Sequence, residues 1–132
     1  MIQTLVVEGE LPGLNEFLSW AKQRGFKKGT VIPGAPYSAA KRLFTNKIAL
    51  LARVARLKPV THPVIVRFTW FAANKRRDKD NLAAGGRKVI LDGLEQAGVL
   101  PRDNWQWIAG FEDRFEIDRK NPRTEVVIEE VG

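Results

Sequence analysis

The chain has 132 residues, 22 of them Lys or Arg and 15 Asp or Glu, for a formal charge of +7 and a pI near 10.1. A hydrophobic content of 44% suffices for one packed core, so a single domain over residues 1–132 is expected and compositional disorder is excluded. The absence of cysteine excludes disulfides and thiolate metal sites, and no run of 18 apolar residues offers a membrane span.

The segment IQTLVVEGEL, residues 2–11, is rich in β-branched residues and predicts a strand, ended by the turn pair Pro12-Gly13. It lacks the charged start and apolar run of a secretion signal, so a cytoplasmic location is expected. LNEFLSWAKQR, residues 14–24, reads as locally helical, and GFKKGTVIPGAPYS, residues 25–38, as an exposed basic loop. Ser38 is placed to cap a helix running to about Leu57, with Leu43, Ile48, Leu51 and Val54 or Ala55 as its apolar stripe. PVIVRFTWFAAN, residues 63–74, is the strongest strand, with Val64, Val66, Phe68 and Trp70 on one face. KRRDKD follows as a loop. Asp80 or Asn81 then caps a second helix through about Ala97, which Gly98 stops. The loop VLPRDNW leads into two closing strands, WIAGFEDRFEI at 107–117 and RTEVVIEEV at 123–131. The order β-α-β-α-β-β predicts a small two-layer α+β domain, a mixed or antiparallel sheet of about four strands with two main helices.

Charge is unevenly spread. Residues 20–90 hold 17 Lys or Arg against two acids, whereas residues 111–132 hold seven acids and four bases. A polyanionic partner, most simply nucleic acid, fits the basic part. Lys75, Arg76, Arg77, Lys79, Arg87, Lys41 and Arg42 are its expected phosphate contacts. Its two acids are Asp78 and Asp80, inside the run KRRDKDNL.

Alone, these acids read as a helix cap and charge balance. Three features point further. They lie where the best strand meets a helix, a frequent place for a site in layered folds. On extended chain their spacing of two puts both carboxylates on one side. Oxygen ligands so placed suit Mg²⁺ or Mn²⁺, whereas carboxylates give a pure DNA binder nothing, since they repel phosphate. A divalent ion there would activate water and offset charge on phosphorus. Two aspartates are few for that task, so a third acid is expected from elsewhere. Asp103, in the loop after the second helix, would fold back beside them if the flanking strands are neighbours. Asp92 reads equally as the i, i+4 partner of Lys88. Lys88, seven residues after Asn81, would share the face of the capping residues and could hold a phosphate oxygen.

Together DKDNL at 78–82, KVILDGLEQAGVL at 88–100 and Asp103 resemble the RusA-type Holliday junction resolvases, small Mg²⁺-dependent endodeoxyribonucleases. The likeness covers residues 60–130, and VEGELPGLNE resembles the family's first strand and turn. It implies Asp78, Asp80 and Asp103 as ligands of Mg²⁺, for which Mn²⁺ can substitute. It implies Lys88 as a phosphate or transition-state contact, with Asn81 and Asp92 in support. It also implies a homodimer that cuts four-way or other branched DNA symmetrically, leaving 5′-phosphate and 3′-hydroxyl ends in recombination and repair. DNA binding would place such a protein on the nucleoid. The chain departs from the family by about four extra residues, within AAGG, between Leu82 and Lys88. Two helical glycines cost roughly 2 kcal/mol relative to alanine, so a local break at Gly85-Gly86 would return Lys88 to register.

Other chemistries find little support. His62 is the only histidine and no GxxxxGK[ST] segment exists, so neither a zinc site nor a nucleotide cofactor is expected. Trp70 is expected in the core, and of Trp105 and Trp107, which alternate, one buried and one exposed. The competing readings are a non-catalytic basic nucleic-acid-binding protein of the same fold and a degenerate relative that binds a protein partner.

Overall fold

The computed structural model describes residues 1–13 and 35–132, without the side chains of residues 35–38. The helical reading of residues 14–24 and most of the basic loop at 25–38 lie outside the described residues. The elements are β1 (Ile2–Glu8), α1 (Ala35–Val54), β2 (Val64–Ala72), α2 (Lys79–Gln96), β3 (Ile108–Ile117) and β4 (Arg123–Glu130). They form an α+β domain with a four-stranded mixed sheet of order β1-β4-β2-β3. β4 runs antiparallel to both β1 and β2, and β3 runs parallel to β2. The ends of β1, β2 and β3 and the starts of β4 and α2 therefore share one pole.

Strict alternation in β2 sorts its side chains. Val64, Val66, Phe68, Trp70 and Ala72 are buried beneath the helices, while Ile65, Arg67, Thr69 and Phe71 are half-buried on the opposite face. That second face bears no helix among the described residues. Arg67 bridges its strands there, donating to Glu129 at 2.6 Å and Glu112 at 3.2 Å.

α2 runs unbroken through Gly85 and Gly86. The local break expected from the glycine pair is absent, and Gly86 has a packing role. A Cβ on Gly86 would lie 2.5 Å from the Trp70 ring, and one on Gly93 2.5 Å from Ile48. The bare glycines let α2 settle onto β2 and α1, and that packing outweighs the lost helix propensity.

α1 begins at Ala35, three residues before Ser38, with Pro36 in its first turn, where its missing N–H is no loss. Its buried face is Thr45, Ile48, Ala49 and Ala52; of the expected stripe Ile48 is buried and Leu51 packs partly against the core, but Leu43, Val54 and Ala55 are exposed. Residues 43 and 48 are five apart and cannot share one face. The helix stops at Val54 because Arg56 turns left-handed, with φ 57°, and Leu57 N–H bonds back to the Ala52 carbonyl.

Glu130 clasps the loop before β2. Its carboxylate accepts from the backbone N–H groups of Thr61 at 2.9 Å and His62 at 3.0 Å, and from the Thr61 hydroxyl at 3.0 Å. His62 Nδ1 lies 3.2 Å from the same oxygen, which gives the lone histidine a structural place. These bonds, the Thr61 N–H foremost, pull the Glu130 pKa from 4.5 to about 2.

Two outcomes follow from the packing and the clasp. Gly86→Ala will lower the melting temperature despite its better helix propensity, since overpacking costs roughly 1–3 kcal/mol against a gain of about 1. Glu130 has a depressed folded pKa, so its stabilisation is complete above the unfolded value of 4.5 and fades as pH falls toward about 2. Glu130→Gln should flatten stability over that window in acid titrations of the melting temperature.

Candidate functional site

Three element ends build the pole that carries Asp78 and Asp80. β2 delivers the chain to the loop at 73–78, and α2 begins at Lys79 with Asp78 as its N-cap, two residues before the earliest cap expected. Asp80 falls in the first helical turn, so the pair bridges cap and helix and is not on extended chain. Carboxylates there face the positive end of the helix dipole. The turn after β1 supports the same segment. A Cβ on Gly13 would lie 2.3 Å from Asn81 Nδ2 and 3.0 Å from an Arg77 nitrogen, so Asn81 and Arg77 press against bare glycine. Glu10 pairs with Arg77 at 3.1 Å. Glu10 and Gly13 are thus site-building residues that the motif search missed; the Pro12-Gly13 turn signal showed only that the chain bends there.

Asp78 occupies the cap position but makes no side-chain capping bond; only its carbonyl accepts, from Leu82 N–H at 3.1 Å. Neither it nor Asp80 forms an ion pair among the described residues. Both are exposed, beside exposed Lys75, Arg76 and Lys79. The carboxylates are therefore not consumed by local structure, as a capping role would require.

Beside the loop opens a cleft of about 610 Å³. Its floor is apolar, from Trp70, Leu82, Phe115 and Ile117, and its rim is basic, from Lys75 and Lys79. Lys79 lies 5.5 Å from the Phe115 ring centroid, on the cleft wall.

The other expected site residues lie elsewhere. Lys88 is about 12 Å along α2 from Asp80, at 1.5 Å per residue. It pairs with Asp92 at 3.2 Å, and Lys41 of α1 pairs with the same carboxylate at 3.2 Å. Asp92 thus ties α1 to α2. Of the expected phosphate contacts, Lys75, Arg76, Lys79 and Arg42 are exposed, whereas Arg77 and Arg87 are largely covered and ion-paired. Arg87 pairs with Asp113 and lies over the rings of Phe68 and Phe111.

Asp103 does not fold back beside Asp78 and Asp80 within the chain. β2 and β3 are indeed neighbours, but parallel ones, so α2 must carry the chain from one end of the sheet to the other between them. The 18 residues of α2 span about 27 Å. Asp103 emerges at the far end, against Ile108 and Gly110 at the start of β3. Accordingly, no group of three His, Cys, Asp or Glu that could hold a metal ion occurs among the described residues.

The chain matches no family model and no curated protein. No described helix is long and apolar enough to cross a membrane.

Because its carboxylate caps nothing, Asp78→Ala should change the unfolding free energy by no more than the roughly ±0.5 kcal/mol of surface changes. A capping aspartate would cost about 0.5–2 kcal/mol, which a denaturant titration resolves.

Proposed function

We propose that this protein is a metal-dependent, structure-selective DNA endonuclease that cuts four-way or other branched DNA. The observation that carries this reading is the pair of uncommitted carboxylates, Asp78 and Asp80, amid exposed lysine and arginine at a polar end of the sheet. Two oxygen ligands of this kind fit Mg²⁺ or Mn²⁺, which use one or two carboxylates together with water and phosphate oxygens. The resemblance of DKDNL and the following helix to the RusA-type resolvases agrees with that chemistry.

When bound, the ion supplies Lewis acidity toward phosphate and activates water. The chain's own part is to hold and orient. Lys75, Arg76 and Lys79 draw the DNA backbone to the pole by charge, without reading sequence. Asp78 and Asp80 would hold the ion within that field. Lys88, set back along α2, contacts a phosphate next to the scissile one. Asp103 joins the same site only from a second copy, because within one chain α2 separates it from Asp80 by about 25 Å. The active unit is then a dimer whose two composite sites match the two-fold symmetry of a four-way junction.

A non-catalytic nucleic-acid-binding domain is the alternative, favoured by the lack of a three-carboxylate cluster among the described residues of one chain. Mixing separates the two readings. On a synthetic four-way junction with Mg²⁺, Asp80→Asn and Asp103→Asn should each lower nicking ~100-fold or more, because metal activation supplies several kcal/mol. Combined, the two inactive chains should regain nicking of one strand, since a mixed dimer keeps one intact site. EDTA should abolish it. A wild-type chain that shifts the junction but never nicks it, with Mg²⁺ or Mn²⁺, would establish the binding domain instead.

A further inference from the structure

The helix layer stops short of one corner of the sheet. At the ends of β2 and β3, Trp70 pairs with Phe115 and Ala72 with Ile117, all four on the helix side by alternation. Trp70 and Ala72 are buried and Phe115 is half-buried, but Ile117 is 48% exposed. The opening above it is the cleft of about 610 Å³ beside the loop of Asp78. That size lies within the roughly 300–1,000 Å³ of small-ligand sites. Its floor is tied down: Trp70 Nε1–H donates to Asp113 at 2.9 Å, and Asp118 N–H donates to the Ala72 carbonyl at 2.8 Å.

Charge on the rim is of one sign. Lys75, Arg77 and Lys79 line the opening. Arg77 is paired with Glu10, whereas Lys75 and Lys79 form no ion pair among the described residues. The lining has one acid, Glu116, and alternation sends its side chain to the opposite face of the sheet. Lys79 Nζ stands 5.5 Å from the centre of the Phe115 ring. The cleft thus sets an apolar, aromatic wall directly against positive charge. A ligand that matches both is a flat apolar body carrying an anionic group, and a nucleobase on its sugar phosphate has that form.

We propose that the cleft receives one unpaired nucleobase of a DNA strand whose phosphates lie along Lys75 and Lys79. The base stacks on Phe115 and covers Ile117, and the strand continues past Asp78 and Asp80. Phosphate contacts position a strand but carry no information about its bases. A base-sized cleft adds that information. In a duplex both faces of a base are covered by its neighbours and its edge by its partner, so entry costs unpairing and unstacking, and the cost is least for a base already single-stranded. The cleft therefore gives the chain a preference for strands with unpaired bases, as at forks, flaps or an open junction centre. The site stands on the cleft itself; that the strand is one to be cut rests on the nuclease reading above.

Binding at low salt in EDTA tests the site apart from cutting. Calorimetric titration compares a thymidine tetranucleotide with the same backbone carrying abasic residues, so that charge is constant. The tetranucleotide should bind about tenfold or more tightly, the scale of one base stacked on an aromatic side chain. Its amide chemical-shift changes should include Ala72, Leu82 and Ile117, and those of the abasic chain should not. Phe115→Leu keeps an apolar side chain and removes the ring; it should bring the two ligands to within about threefold. Ile117→Ser, at an exposed position outside the core, should do the same. A free nucleotide offers the same base, so thymidine 5′-monophosphate is the third ligand. It should bind about tenfold more weakly than the tetranucleotide, since fewer phosphates meet the lysines. Equal affinity for the tetranucleotide and the abasic chain, or a difference that both variants leave intact, would overturn the proposal. So would a mononucleotide as tight as the tetranucleotide, which would make the cleft a pocket for free nucleotides. Base-dependent binding by a chain that never nicks branched DNA with Mg²⁺ upholds the cleft and overturns the nuclease reading; nicking without base-dependent binding does the opposite.

Discussion

The contact on which the rest of this fold turns is Trp70 against the bare backbone of Gly86. Trp70 is 1% exposed at the centre of the sheet, stacked on Phe68 with ring centroids 5.2 Å apart. Its ring sets how close α2 can come, and its Nε1–H reaches across to Asp113 of β3. Asp113 holds Arg87, and Arg87 returns to α2 over Phe68 and Phe111. One side chain thus fixes the spacing of β2, α2 and β3. A polar atom on a buried ring needs such a partner, and a buried arginine needs both a carboxylate and flat surfaces to lie on.

Much of this was legible from the chain itself. Alternation in residues 64–72 gave β2 and its buried face, and the order of elements gave the α+β class, because periods of two and 3.6 are local properties. Partner choice in the sheet was not legible. Nothing in WIAGFEDRFEI says that it lies parallel to β2, and that single fact moves Asp103 to the opposite end of the sheet. The stripe on α1 was legible only in part. Ile48 is buried as expected and Leu51 packs partly against the core, but Leu43 and Val54 face solvent and small Ala49 and Ala52 face inward, a choice that hydrophobicity alone does not show. Gly85-Gly86 looked like a helix break because propensity is visible in sequence and an indole on a neighbouring strand is not.

The same parallel crossover gives the candidate site its economy and its incompleteness. A strand-to-helix junction places Asp78 and Asp80 at a helix N-terminus, the right electrostatic setting for anionic side chains. The helix-to-strand junction that holds Asp103 must then lie a helix length away. No loop rearrangement of ordinary size closes about 25 Å. Any chemistry that needs all three carboxylates at once is a property of an assembly and not of the chain.

Charge is sorted between the faces of the molecule in a way that suits this arrangement. The sheet face away from α1 and α2 carries Glu8, Glu112, Glu116, Glu125 and Glu129 against Arg114, Arg67 and Arg123, the last two bound among the acids. Arg123 lies 3.8 Å from the Phe71 ring and pairs with Asp118 and Glu125, so its charge is spent locally. A polyanion finds no net attraction there. On the helix side, α1 has no acid at all, and Lys75 and Arg76 in the loop before α2 and Lys79 at its first residue form no ion pair among the described residues. Long-range fields sum over such distributions, so the helix layer and the loop before α2 form the more cationic side of the described residues and the sheet face the more anionic one. Asp78 and Asp80 are thus an acidic pair inside an otherwise basic run, and that contrast is what the proposed metal chemistry rests on.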